Sequence, residues 1–412
     1  MSANADDADP YSVLRNRSFV LYLSGRFIAS LGQQMQTVAV GWELYERTGS
    51  SLSLGLVGLM QFLPMILMTL PAGHIADTRS RKHVIVAMQG VLTAASVGLA
   101  LVSIFHASVF WVYCCLFASG LGRTFLWSAT ASFMPQLVTR EQFPRAVAWA
   151  ANSFQVSAVS GPAVGGALIA LTHNAATIYF VNAAAAATCL VLICFVRSRH
   201  KPNVKRDFSL AGLLAGFHFV FKTPVMLGAV TLDMFAVMFG GATALLPVYA
   251  KDILHVGPGG LGLLEAALPV GSLLCGLWMA HRPPLLKAGR ALLLGVVIFG
   301  FAMIGFGFSK SYPLSWAMLF LAGFADNISV VVRHTLVQLL TADEMRGRVS
   351  AVNNLFIGTS NELGGFESGL VSNFFGPVVS VVSGGIATVL VVCGIAAKWS
   401  ELRKYGRLVP PK

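Results

Sequence analysis

Hydrophobic residues in this chain run in blocks too long for the core helices of a soluble domain, separated by short polar segments. Mostly apolar stretches of about 20 residues or more, each long enough to cross a hydrocarbon layer of about 30 Å as a helix, lie near 18–43, 52–75, 83–105, 109–133, 147–171 and 175–196. Six more lie near 225–249, 260–280, 290–309, 313–335, 349–372 and 377–398. The pattern predicts an all-α integral membrane protein of twelve transmembrane helices, six in each half. It divides the chain into an N-terminal six-helix bundle at 1–196, a linker at 197–224, a C-terminal six-helix bundle at 225–398 and a tail at 399–412. The linker opens basic and then turns apolar through Phe208-Ser209-Leu210-Ala211-Gly212-Leu213, which predicts a short surface helix.

The two halves repeat each other. Gln136-Leu137-Val138-Thr139-Arg140-Glu141-Gln142 returns 202 residues later as Gln338-Leu339-Leu340-Thr341-Ala342-Asp343-Glu344, and Leu54-Gly55-Leu56-Val57 returns 207 residues later as Leu261-Gly262-Leu263-Leu264. Two copies of one unit in the same order, in so apolar a chain, predict a transporter of two pseudo-symmetric halves.

Charge then orients the spans. Only 11% of residues are charged, against roughly 25% in globular proteins, while 56% are hydrophobic and the mean hydropathy is +0.72. Placing both termini and the even-numbered connections on one side collects 23 of the 29 lysines and arginines, with only Arg47, Lys251 and Lys310 opposite. The positive-inside rule makes that side cytoplasmic, in a plasma (inner) membrane. The net charge of +12 is thus a topology signal, and no basic stripe interleaved with exposed aromatics suggests nucleic acid. Asp6, Asp7 and Asp9 precede the first span, the wrong sign for a cleaved signal peptide. All six cysteines fall inside spans without metal-type spacing and read as packing residues. No nucleophile with a base, no metal cluster and no phosphate-cradling loop is evident, so neither an enzyme mechanism nor a cofactor is expected. The partners expected are a small-molecule substrate, protons and the bilayer, with the protein acting as a monomer.

Local motifs narrow the class. Gly73-His74-Ile75-Ala76-Asp77-Thr78-Arg79-Ser80-Arg81-Lys82 joins the second and third spans. A small residue there lets helices approach, Asp77 suits a helix end or a basic partner, and the cations hold the loop at the membrane surface. The segment resembles the Gly-x-x-x-Asp-Arg-x-Gly-Arg-Arg signature of the major facilitator superfamily, matching at Gly73, Asp77, Arg81 and Lys82 and departing at Thr78 and Ser80. The resemblance implies a conformational latch; the equivalent second-half loop, Ala280 to Lys287, has no acid. Gly161-Pro162-Ala163-Val164-Gly165-Gly166 resembles a motif of exporters in that superfamily, implying a bendable helix; the residues alone fit close helix packing equally well. Arg15-Asn16-Arg17-Ser18-Phe19, Gly41-Trp42-Glu43-Leu44-Tyr45 and Glu344-Met345-Arg346-Gly347-Arg348-Val349 are similar to the enterobactin-exporter-like subgroup. This implies proton-driven efflux of a small organic molecule, a drug or a siderophore, by alternating access.

Ionisable groups inside a bilayer cost about 2.5–3.5 kcal/mol at its centre on insertion scales, so those in the spans are the candidate machinery. Asp233, Glu362 and Arg123 are assigned to proton coupling: Glu362 as a desolvated carboxyl, Arg123 because it resembles the superfamily's fourth-span arginine. Arg26, Gln33, Gln36, Asp326 and Glu265 are assigned to substrate. Arg26, Gln33 and Thr37 share one helical face, and the 207-residue offset places Arg26 on Asp233, which predicts an Arg26–Asp233 ion pair. Asp326 and Arg333 share a face of the tenth span. Glu367 lies apart from Glu362, and His334 and His74 read as solvated. Two alternatives remain open: an importer or a lysophospholipid or lipid mover, which the 28 Phe and 14 Met would suit, and a non-transporting receptor or scaffold.

Overall fold

A computed structural model describes residues 11–197, 210–283, 285–342 and 345–406. It is built from helices: α1 Arg17–Thr48, α2 Ser51–Thr78, α3 Arg81–Ile104, α4 Val109–Phe133, α5 Phe143–Thr172 and α6 Ala175–Phe195. After the linker come α7 Leu210–Lys222, α8 Pro224–Gly240, α9 Leu246–Val248, α10 Gly257–Ala280 and α11 Ala288–Phe308. α12 Tyr312–Leu340, α13 Arg346–Phe375, α14 Pro377–Lys398 and α15 Ser400–Lys404 complete the chain.

Among the described residues, ten spans are long and apolar enough to cross a membrane by length and composition. α1 and α13 complete the twelve expected, at 32 and 30 residues. Their hydropathy is lowered by polar residues, Arg26, Gln33 and Gln36 in one and Asn353, Asn354, Asn361, Glu362 and Glu367 in the other. The seventh span departs from expectation. Instead of one helix over 225–249, α8 stops at Gly240, a 3₁₀ turn covers Ala242–Leu245, and α9 continues into a π-helical turn at Tyr249–Ile253. Successive glycines at 240 and 241 lower the cost of leaving the α-conformation there.

Short polar side chains start the helices. Asn16 Oδ1 accepts from the Ser18 and Phe19 amides at 3.0 and 3.3 Å and so caps α1; Asn174 does the same for α6, and Ser311 for α12. Tight reversals use left-handed residues, Gly49 (φ +60°) between α1 and α2 and Gly376 (φ +88°) between α13 and α14.

The chain forms two compact units. Among the described residues the first takes in the chain up to Val40 and Leu63 to the end of α6; the second takes in Gly41–Phe62 and everything from α7 onward. In the first, α3 packs on both α4 and α6, around Tyr22, Ile85, Phe133 and Ile193. In the second, α11 packs on α12 and α14, α10 on α12, and α8 on α13 and α14, around Leu232, Leu292, Val332, Leu336 and Leu402. The α1–α2 hairpin at 41–62 therefore groups with the second unit, where the sequence placed all of 1–196 together. Backbones meet closely there: a Cβ on Gly55 would stand 3.1 Å from Gly369 Cα, and one on Gly58 would stand 2.5 Å from the Glu362 carbonyl oxygen. Small residues allow this approach between membrane helices, and Ser372 donates to Ser51 at 2.9 Å beside it.

Candidate transport site

In the second unit, Asp233 of α8 and Arg333 of α12 meet as an ion pair, Arg333 Nη1 to Asp233 Oδ2 at 2.7 Å, with 4% and 2% exposure. Asp233 is nine residues into its helix and Arg333 seven from the end of its own, roughly 10–14 Å from the helix ends at 1.5 Å per residue. Charges this deep persist when paired and hydrogen-bonded. Arg333 also reaches Asn353 Oδ1 of α13 at 3.5 Å, while its Nε has no hydrogen-bond partner among the described residues. Asp326 lies on the same face of α12, two turns before Arg333 and about 10 Å along the helix.

This corrects the expected Arg26–Asp233 pair: the partner of Asp233 is Arg333. Repeat register places residues at matching depth, but it does not say which helix a side chain turns toward. Asp326, assigned to substrate from sequence, stands on α12 two turns from Arg333.

In the first unit, α1 presents three faces. Gly25 and Gly32 let it sit against Cys189 and Asn182 of α6. Leu31, Gln34 and Met35 receive Gly161 and Gly165 of α5, whose added Cβ atoms would stand 2.5 Å from Gln34 Cβ and 2.9 Å from Met35 Cα. The third face carries Arg26, Ser30, Gln33 and Thr37 at helical spacing, and all four are half-buried or exposed.

Gln36 belongs to the buried side of that helix and not to the open face. It is 2% exposed, and its Oε1 accepts from Ser96 of α3 at 3.0 Å and from Asn182 of α6 at 2.6 Å; Asn182 also donates to Ser96 at 2.9 Å. The substrate assignment of Gln36 gives way to a closed neutral network that ties three helices together. Asn182 and Ser96 carry no assignment from sequence; single polar residues in otherwise apolar spans are the signal that marks them.

The remaining candidates are spread over both units. Gly161, Pro162, Gly165 and Gly166 are buried in an unbroken α5, where the glycines serve close packing on α1. Lys82, assigned to the latch, donates to the carbonyls of Cys194 and Val196 at 2.7 and 2.9 Å and so caps the end of α6. Arg81 is half-buried at the start of α3 and Gly73 is buried in α2, while the Asp77 side chain lies outside the described residues. Arg123 is exposed on α4. Glu265 of α10 and Glu362 of α13 are half-buried, and Glu367 is half-buried with Ser368 Oγ 3.5 Å away. His334 is exposed. No group of three or more metal-type ligands occurs among the described residues.

Comparisons place this architecture. The chain is 28% identical over 392 residues to the enterobactin exporter EntS of Citrobacter koseri, covering 94% of this chain and 92% of that protein. It is 27% identical, at the same coverage, to EntS of Escherichia coli O1:K1. Among solved structures, a bacterial homologue of the human lysosomal transporter Spinster, inward-facing and occupied, superposes with a TM-score of 0.72 at 16% identity, covering 95% of this chain and 97% of that one. A point mutant of the nucleoside transporter NupG gives 0.72 at 11% identity, over 92% and 99%. Residues 22–365 match the Major Facilitator Superfamily profile, and with twelve spans in two repeated halves the chain belongs to that superfamily of membrane transporters.

Proposed function

We propose that this protein is a proton-coupled exporter, carrying a small organic molecule of the siderophore type out of the cell by alternating access, with both termini cytoplasmic. Export rests on the relatives named as enterobactin exporters. The observation that carries proton coupling is the desolvated Asp233–Arg333 pair with Asp326 two turns away on α12. A carboxylate held at that depth by one cation is neutralised when a proton arrives, which releases the guanidinium to the second acid and changes the packing of α8 on α12. Protons therefore enter as a change of partner within one helix pair. Glu362 of the same unit supplies a further acid.

Everted vesicles containing the protein test this with labelled enterobactin. An imposed proton gradient drives accumulation in wild type; Asp233→Asn abolishes gradient-driven accumulation and leaves exchange at equal concentrations on both sides. Gradient-driven accumulation at the wild-type rate in Asp233→Asn overturns the coupling role.

A further inference from the structure

The Asp233–Arg333 pairing leaves a question at Arg26. This guanidinium stands nine residues into α1, about 14 Å along the helix. Among the described residues it has no hydrogen bond or ion pair; its electrostatic neighbours are the neutral Tyr22 and Cys189. Nor do the described spans of the first unit place an acid at its depth. Across residues 17–40 and 63–195 the only carboxylates are Asp77, at the end of α2, and Glu141, in the connection before α5. The second cation of that unit's spans, Arg123, lies ten residues from the end of α4, about 15 Å along it. Because α4 runs antiparallel to α1, the two arginines come to similar depth.

A membrane-embedded cation with no acid at its depth among the described spans of its own unit is costly unless something else supplies the negative charge. Arg26 does not snorkel from a helix end, and it shares its open face with Ser30, Gln33 and Thr37, an unbroken line of hydrogen-bonding groups. Guanidinium is the side chain best suited to planar, bidentate recognition of an anionic oxygen pair. The acids of the spans, Asp233, Asp326, Glu265, Glu362 and Glu367, all lie in the second unit.

We infer that the α1 face formed by Arg26, Ser30, Gln33 and Thr37 is an anion-recognition site and that the transported molecule is an acid, carrying a carboxylate or a deprotonated phenol that Arg26 binds. The inference rests on the transporter reading above and adds the charge of the cargo. It separates the two jobs: the first unit holds the anion, the second carries protons.

The test is binding without any gradient, so it is independent of proton coupling. Purified full-length protein is heated with three aromatic hydroxy acids of different skeleton, salicylate among them, and with the O-methylated amide of each, which carries neither acidic group. At least one acid raises the unfolding midpoint where its amide does not; Arg26→Gln weakens that acid at least about tenfold, and Arg26→Lys recovers part of the affinity. If no acid protects more than its amide in wild type, the inference is overturned, whatever the variants do. Acid binding that survives Arg26→Gln at wild-type strength overturns it too. Loss of gradient-driven export in Asp233→Asn with acid binding absent keeps proton coupling and removes the anion site; the reverse pattern removes proton coupling alone.

Discussion

In the first unit the buried polar centre is neutral: Gln36, Ser96 and Asn182 close a triangle of hydrogen bonds among α1, α3 and α6. In the second unit it is ionic, Asp233 with Arg333 between α8 and α12, with Asp326 two turns away on α12. The repeat that builds the two units does not carry either centre across. At the 207-residue offset Ser96 falls on Met303; at 202 residues Asn182 falls on Gly384, and Arg333 and Asp326 fall back on Ala131 and Thr124. Gly384 is instead packed so that a Cβ would stand 1.9 Å from the Phe239 carbonyl oxygen. One fold thus holds two chemistries. A neutral network fixes helix positions and is indifferent to proton supply, whereas an ion pair in a dry interior changes state when a proton arrives. Under the proposed function, the first unit is scaffold and binding face and the second is the part that responds.

The largest expected effect comes from breaking the ionic centre. Arg333→Gln strands Asp233 at 4% exposure and should cost about 3–5 kcal/mol of stability, while the double variant Asp233→Asn with Arg333→Gln should recover most of it. Thermal unfolding of the singles and the double checks this; additive losses would show that the pair is not a unit. Breaking the neutral centre should cost less. Asn182→Leu leaves Gln36 and Ser96 short of partners, for about 1–3 kcal/mol, and transport by the folded fraction should keep its pH profile. A changed profile would erase the contrast between the units.

Much of the fold was legible in sequence because hydropathy records the bilayer directly. The break between α8 and α9 was not, since the apolar run passes through Gly240 and Gly241 without interruption. The site was legible as a set of residues and not as a set of partners. Arg26 and Asp233 align in the repeat, yet Asp233 turns to Arg333 because α8 and α12 of its own unit bring those side chains together. Gln36 resembles part of a cavity stripe in sequence because helix rotation separates it only modestly from Gln33 and Thr37; its burial depends on Gly32 admitting α6. Lys82 sits in a switch-like motif, and only the end of α6 reveals what it binds.

Two smaller effects sharpen the view of the first unit as a scaffold. Gly161→Ala places a methyl 2.5 Å from Gln34 Cβ and should destabilise by about 1–3 kcal/mol, read as a lower unfolding midpoint. Lys82→Ala should cost about 0.5–1 kcal/mol through the lost cap on α6, with transport rate per folded molecule unchanged. A transport loss well beyond that stability change would return Lys82 to a conformational role.

The central claim, that the second unit takes up the proton, is tested most directly by infrared difference spectroscopy of the purified protein between acid and neutral pH. The account predicts a protonated-carboxyl band in wild type that shrinks in Asp233→Asn, disappears further in the double variant with Asp326→Asn, and is unchanged in Arg26→Gln and Asn182→Leu. A band that keeps its full amplitude when both aspartates are replaced would contradict it.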